Sequence, residues 1–212
     1  MGLLLKKMVE NGAVISIWQV VEAVDFFTQK LDLQAVEEAE LANLKGRRRL
    51  EWLASRYLVH EMLLSLGYED RVPVIKDEFG KPHIWGTPFH LSFSHSHELV
   101  AVILASSPTG IDVQHIVPKI ERLAQKFLGE AELASLRPET RLEQLHVYWG
   151  AKEALYKAHG RRELNFRGNI FIEPFDYQPI GRTTGRVEKG GEEWCFEVFY
   201  EKIGDYIVAW CF

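Results

Sequence analysis

The spacing of apolar positions changes several times along the chain, and each change predicts an element. Residues 13–20, "AVISIWQV", are dense in β-branched and aromatic side chains and read as a strand. From about Leu31 to Leu66 the pattern becomes helical. In "RRRLEWLASRYLVHEMLLSLG", Leu50, Leu53, Leu58, Met62 and Leu66 recur at roughly helical intervals and Gly67 supplies the stop. Such a stripe predicts a helix laid on a sheet. Beyond "DEFGKPHI", whose Gly-Lys-Pro reads as a turn, come "FHLSFSHS" and "LVAVILASS", two β-rich runs parted by a polar "HE", and then "GIDVQHI". These three predict an antiparallel meander. A second helical region runs from about Ile120 to Ala158, broken near Pro138. Its last part, "RLEQLHVYWGAKEALYKAHG", ends on Gly160. The remainder, "NIFIEPFDYQ", "GRTTGRVEKGG" and "EWCFEVFYEKIGDYIVAWCF", is strand-like, with "KIGD" as a hairpin turn.

Helix with sheet, then helix with sheet again, predicts an α+β fold of two similar halves, residues 1–108 and 109–212, meeting near Pro108. No Ser-rich or charged linker separates them, and there is no short-period repeat or low-complexity segment. A join of this kind is a common place for a ligand cleft.

Composition narrows the picture. The 212 residues, 47% hydrophobic and 12% aromatic, suffice for a packed core. A formal net charge of −5 argues against general nucleic-acid binding, so any bound anion has to be met by a local cluster of Lys and Arg. The two cysteines, Cys195 and Cys211, have neither metal-ligand spacing nor the density of a disulfide framework, which fits a reducing cytoplasm. The three-leucine run before Lys6 and Lys7 is too short and wrongly ordered for a secretory signal. The Met-Gly start also lacks Ser or Thr at the sixth position. No window approaches the roughly 20 apolar residues of a membrane span. A cytoplasmic protein without membrane contact is expected.

The candidate chemistry gathers at two motifs. In "GIDVQHI", strand alternation puts Asp112 and Gln114 on one face and Ile111, Val113 and His115 on the other. In "YWGAKEALYK", helical spacing predicts Trp149, Lys152, Glu153, Tyr156 and Lys157 on one broad face. Mg²⁺ takes oxygen ligands and usually keeps waters and substrate phosphates, so Asp112, Glu153 and the Gln114 amide would suffice to hold it. No Cys cluster and no His-Glu-x-x-His motif points to zinc. Upstream, Ser94, His95 and Ser96 offer hydrogen-bond donors to a phosphate. Arg49 and Arg56 lie two turns apart on one helix face with His60 one turn on. Each residue taken singly also has an ordinary reading: Glu153 and Lys157 as a helix pair, Asp112 as a turn cap, Arg47 to Arg49 as a solvated face.

"FGKP", "LSFSHS", "GIDVQ" and "WGAKEALYK", in this order and at these separations, resemble the 4′-phosphopantetheinyl transferase superfamily. The likeness is to its larger, two-half, pseudodimeric type, the surfactin-synthetase-activating kind, in the branch with Trp and Lys-Glu-Ala in the last motif. The resemblance implies a pseudo-twofold pair of halves, each a small, mainly antiparallel sheet packed with helices. It further implies Mg²⁺-dependent transfer of the phosphopantetheine arm of coenzyme A to a serine of an apo acyl or peptidyl carrier protein, with release of adenosine 3′,5′-bisphosphate. Carried over by motif position, Asp112, Gln114 and Glu153 would be metal ligands, with Gln114 standing where many relatives have a third acid. Glu153 and Lys157 would be catalytic. Arg48, Arg49, Arg56, Lys81, Ser94, His95, Lys152 and Lys157 would contact coenzyme A, and Glu132 matches a family glutamate near the site. The segment from Val117 to Leu136, with Lys119, Arg122, Lys126, Phe127 and Leu128, is a candidate docking patch for an acidic carrier. A monomer is expected, since two halves in one chain supply what smaller relatives build between subunits. Two other readings are a Mg²⁺-dependent nucleotide phosphohydrolase and a non-catalytic coenzyme A or carrier-protein binding module.

Overall fold

Two units, Met1–Ser107 and Pro108–Phe212, make up the computed structural model, which describes residues 2–161 and 163–212. The first unit opens with two strands, β1 (Leu3–Met8) and β2 (Val14–Gln19), followed by helices α1 (Val24–Thr28), α2 (Ala35–Ala42) and α3 (Gly46–Ser65). Then come a small hairpin of β3 (Ile75–Lys76) and β4 (Pro82–His83), and the strands β5 (His90–Ser96) and β6 (Leu99–Ala105). The main sheet is antiparallel in the order β1-β2-β6-β5. The helical stripe works as expected at its centre: Leu53, Leu58 and Met62 are buried, and they join Trp18, Val100, Val102 and Leu104 of the sheet in one core. At its ends it frays, for Leu66 is 38% exposed. Strand β1 is an element the sequence reading passed over as a bare leucine run. With Lys6 and Lys7 and an exposed Met8 it carries the pattern of a sheet edge.

The second unit contains β7 (Gly110–His115), the short helices α4 (Ala124–Phe127) and α5 (Glu130–Ala134), and the long helix α6 (Arg141–His159). Strands β8 (Ile170–Ile172), β9 (Ile180–Lys189), β10 (Glu192–Ile203) and β11 (Tyr206–Cys211) complete it. All neighbours are antiparallel in the order β7-β11-β10-β9-β8. Helix α6 stops at Gly160, whose φ of 73° is the left-handed C-cap that glycine adopts at low cost. Gly204 and Asp205 form the predicted hairpin turn between β10 and β11.

The expected meander is corrected by the structure. Strands β5 and β6 pair, but β7 leaves them and pairs with β11. Pro108 has no N–H to continue a ladder. Immediately after it, the Thr109 hydroxyl donates to the Cys211 carbonyl at 2.7 Å, which starts β7 on the far end of the chain.

Two features of this unit carry predictions. A Cβ at Gly110 would stand 1.9 Å from the Ala154 carbonyl oxygen, a backbone atom of α6, so the close approach of β7 to α6 needs a glycine. Gly110→Ala is expected to push α6 off β7 and to destabilise the unit by at least the roughly 1–3 kcal/mol typical of overpacking, read as a lower urea midpoint. The second is His146, 2% exposed, whose Nδ1 donates to the Leu142 carbonyl at 2.8 Å while Nε2 accepts the Val117 N–H at 3.1 Å. Burial, with Nε2 spent as an acceptor, holds its pKa below the ordinary 6.5. The unfolded chain therefore takes up this proton at a higher pH than the folded one. The stabilising contribution is complete above about 6.5 and is lost as pH falls below it toward the depressed folded value. Thermal unfolding of wild type against His146→Gln across that window should show the difference, the variant losing this part of the acid sensitivity.

Candidate active site

The carboxylates singled out by sequence stand on neighbouring elements of the second unit. Strand β7 carries Asp112 with its side chain toward α6, and the pairing of α6 on β7 brings Lys157 against it. Lys157 Nζ donates to Asp112 Oδ1 at 2.7 Å and to the Ile111 carbonyl at 2.9 Å. Gln114, on the same strand face, turns its amide Nε2 to Asp112 Oδ2 at 2.6 Å. Asp112 is thus a buried carboxylate, 2% exposed, held by an ammonium and an amide. Gly150, one turn before Glu153, lets α6 lie close on β11, for a Cβ there would stand 3.2 Å from the Ala209 Cβ.

Glu153 completes the group. Its carboxyl is pushed up to about 7, chiefly by burial and secondly by the charge of Asp112, with the Lys157 ammonium opposing both. Two carboxylates share one ammonium, so the cluster carries an excess of negative charge that a cation would relieve. The donor set, two carboxylate groups and one amide, is all oxygen on the ligand side and suits a hard divalent ion such as Mg²⁺. Among the described residues, no group of three or more His, Cys, Asp and Glu side chains is placed to hold a metal. The fit therefore rests on Asp112 and Glu153, with waters and substrate phosphates filling the remaining positions. A cation on Asp112 Oδ2 would require the Gln114 amide to turn over and present its oxygen.

Lys152 does not share the face predicted for it. It is 0% exposed, and its ammonium donates to Glu132 Oε2 at 2.8 Å and to the carbonyls of Phe127, Phe166 and Ile170 at 2.8, 2.9 and 2.7 Å. An ammonium with every N–H spent inside the core has none left for a phosphate. Glu132 also accepts the Gly129 N–H at 2.7 Å and the Ile172 N–H at 2.9 Å, so the pair ties α5, α6 and β8 together. The helical spacing of 149, 152, 153, 156 and 157 covers too wide an arc to be one face. Trp149 and Tyr156 turn to Phe166, while Glu153 and Lys157 turn to Asp112.

In the first unit, a cavity of about 260 Å³ is lined by Arg48, Arg56, Ser94 and His95, four of the residues read from sequence. It also takes in Glu40, Glu51, Trp52, Lys76 and Phe93, which the reading missed. The i, i+4 spacing of Trp52 and Arg56 was the one signal for them. Arg56 is 1% exposed, its guanidinium 4.1 Å from the Trp52 ring centroid and 5.1 Å from that of Phe93. It donates to Ser55 Oγ at 3.0 Å and to Glu40 Oε2 at 3.5 Å, and among the described residues its buried Nε has no hydrogen-bond partner. Burial lowers the Arg56 pKa to about 10, against the pull of Glu40, so the group stays cationic at neutral pH. Arg49 goes elsewhere: it donates to the Leu41 carbonyl at 3.0 Å and lines a separate hollow with Thr28, Leu31 and Asp32. Lys81 closes the β3–β4 turn, its N–H on Asp77 Oδ1 at 2.8 Å, and does not line the cavity of Arg56.

Comparison with known proteins bears on both units. A family model described as the 4′-phosphopantetheinyl transferase superfamily matches residues 108–211, and one described as the 4′-phosphopantetheinyl transferase N-terminal domain matches residues 36–105. The chain is 26% identical over 148 residues to a 4′-phosphopantetheinyl transferase of Bacillus subtilis, covering 63% of this chain and 60% of that protein. It is 33% identical over 123 residues to the 4′-phosphopantetheinyl transferase AcpT of Escherichia coli O157:H7, covering 55% and 60% respectively. Over 114 residues it is 28% identical to the 4′-phosphopantetheinyl transferase gsp of Aneurinibacillus migulanus, covering 52% and 46%. The aligned stretches thus span about half to 60% of the length of these relatives.

Proposed function

Since the chain belongs to the 4′-phosphopantetheinyl transferase superfamily, we propose that it moves the phosphopantetheine arm of coenzyme A onto a serine of an apo acyl or peptidyl carrier protein, releasing adenosine 3′,5′-bisphosphate. The observation that carries this reading is the pair of carboxylates Asp112 and Glu153 sharing one cation, the Lys157 ammonium. Magnesium bound there, held by Asp112 and Glu153, would supply a positive charge for the pyrophosphate oxygens. No helix among the described residues is long and apolar enough to cross a membrane, and the reaction is assigned to the cytoplasm with the chain acting as a monomer.

The chain's own residues divide the work. In the transfer, the serine oxygen forms a bond to the β-phosphorus of coenzyme A as the bond from that phosphorus to the bridging oxygen breaks, and adenosine 3′,5′-bisphosphate leaves with the electron pair. Glu153, beside Asp112 in the cluster, is assigned to take the serine proton. Lys157 has two of its N–H donors committed to Asp112 and Ile111 and can turn the third to a phosphoryl oxygen, where developing charge is best stabilised by a fixed donor. Asp112 holds that ammonium in place. Arg48, Arg56, Ser94 and His95 are assigned to the phosphates of the donor.

Incubating the protein with coenzyme A, Mg²⁺ and an apo carrier protein, followed by intact-mass measurement of the carrier, tests the reading. A gain of one phosphopantetheine supports it. Consumption of coenzyme A without any gain on several carriers would instead identify a hydrolase, and binding without consumption a binding module.

A further inference from the structure

In the first-unit cavity a carboxylate on a helix grips an imidazole on a strand. Glu51, on α3, has a side chain only 10% exposed, and its two oxygens have different partners: Oε1 accepts from Arg47 Nε at 3.4 Å, and Oε2 meets His95 Nδ1 at 3.2 Å. Arg47 is itself tied to the β5–β6 turn, its Nη2 donating to the His97 carbonyl. The carboxylate is therefore fixed from one side by its own helix, and it fixes the ring on the other. A ring whose Nδ1–H is given to a carboxylate has its rotation set, and in the imidazolium form the other nitrogen carries a second N–H, presented outward. His95 has a side chain 54% exposed and lines the cavity.

We propose that Glu51 is a positioning residue for donor recognition: it holds the His95 ring by its Nδ1–H so that, as the imidazolium, the ring donates its Nε2–H to a phosphate of coenzyme A. The inference rests on the transferase reading above and adds to it a residue that contacts no substrate. Without Glu51, an exposed ring samples several rotamers and lacks a counter-charge for its imidazolium form, and ordering it on binding costs affinity. The loss falls on donor binding, because His95 and Glu51 are assigned to no bond that forms or breaks.

The experiment is a steady-state titration of coenzyme A against a carrier protein that the wild type loads, for Glu51→Ala, Glu51→Gln, His95→Ala and the double variant Glu51→Ala/His95→Ala. Glu51→Ala and His95→Ala should each raise KM for coenzyme A roughly ten- to hundred-fold, the size of one charge-assisted hydrogen bond, with kcat within about twofold of wild type. Glu51→Gln keeps an oxygen for the Nδ1–H and should bring KM back to within about threefold of wild type. In the double variant KM should stand no higher than in His95→Ala alone, since Glu51 acts only through the ring. KM does not depend on the folded fraction, so partial unfolding of a variant does not mimic this pattern. An unchanged KM in Glu51→Ala, a Gln variant as poor as the Ala variant, or effects that multiply in the double variant would each overturn the proposal while leaving the transferase reading intact. A wild type that loads no carrier removes that reading, and this inference with it.

Discussion

Replacing Lys152 by methionine is expected to cost roughly 3–5 kcal/mol, the range found when one partner of a buried ion pair is removed. The reason is what remains. Glu132, 3% exposed, would keep its carboxylate inside the core with only the Gly129 and Ile172 N–H groups to answer it, and the carbonyls of Phe127, Phe166 and Ile170 would lose their common donor. Against a total stability of about 5–15 kcal/mol for an ordinary domain, that is enough to leave a large unfolded population at growth temperature. The urea midpoint and the soluble yield report it. Removing both charges with Lys152→Met/Glu132→Gln should recover a substantial part of the loss, because no uncompensated charge is then buried. A single variant within about 1 kcal/mol of wild type would contradict this account of the pair, given the penalty for a lone buried charge.

The second large effect is on turnover. Glu153→Gln should slow phosphopantetheine transfer by roughly 10²–10⁴-fold, the usual contribution of a positioned general base, while the second unit stays folded. Glutamine is nearly isosteric, and it removes a carboxyl that burial and Asp112 already hold partly neutral near pH 7, so stability should change little. Initial rates of carrier loading at saturating coenzyme A, alongside urea denaturation, separate the two quantities. Near-wild-type transfer by a folded Glu153→Gln protein would remove Glu153 from the role of base. Lys157→Ala is the companion: it unbinds Asp112 Oδ1 and deletes the ammonium assigned to the phosphoryl oxygen, and a loss of about 10²–10³-fold is expected from the electrostatics of a single fixed donor.

These two lysines, five residues apart on one helix, mark where reading the sequence succeeds and where it stops. Periodicity located α3 and α6, Gly160 placed the end of α6, and alternation along "GIDVQHI" put Asp112 and Gln114 on a common face, which their hydrogen bond bears out. Such features are legible because they depend on near neighbours: a period of two or 3.6, a turn residue, a cap. The motif order likewise pointed to the superfamily that the family models match.

What periodicity does not encode is the partner that each element meets. Nothing local says that β7 pairs with β11, ninety-odd residues on by their ladder, and not with β6. Nothing local says that Lys152 is enclosed by Glu132 and three carbonyls while Lys157 reaches Asp112. Arg49 and Arg56 fall on one helical stripe, yet one side chain runs to α2 and the other is stacked between Trp52 and Phe93. Sequence determined the long helices, most of the strands, the Asp112 and Glu153 motifs and the family resemblance. Tertiary structure alone decided which charges are buried, which carboxyl is pushed up by its neighbour and which carboxylate meets His95, because burial and Coulomb coupling depend on distances between residues that the chain keeps far apart.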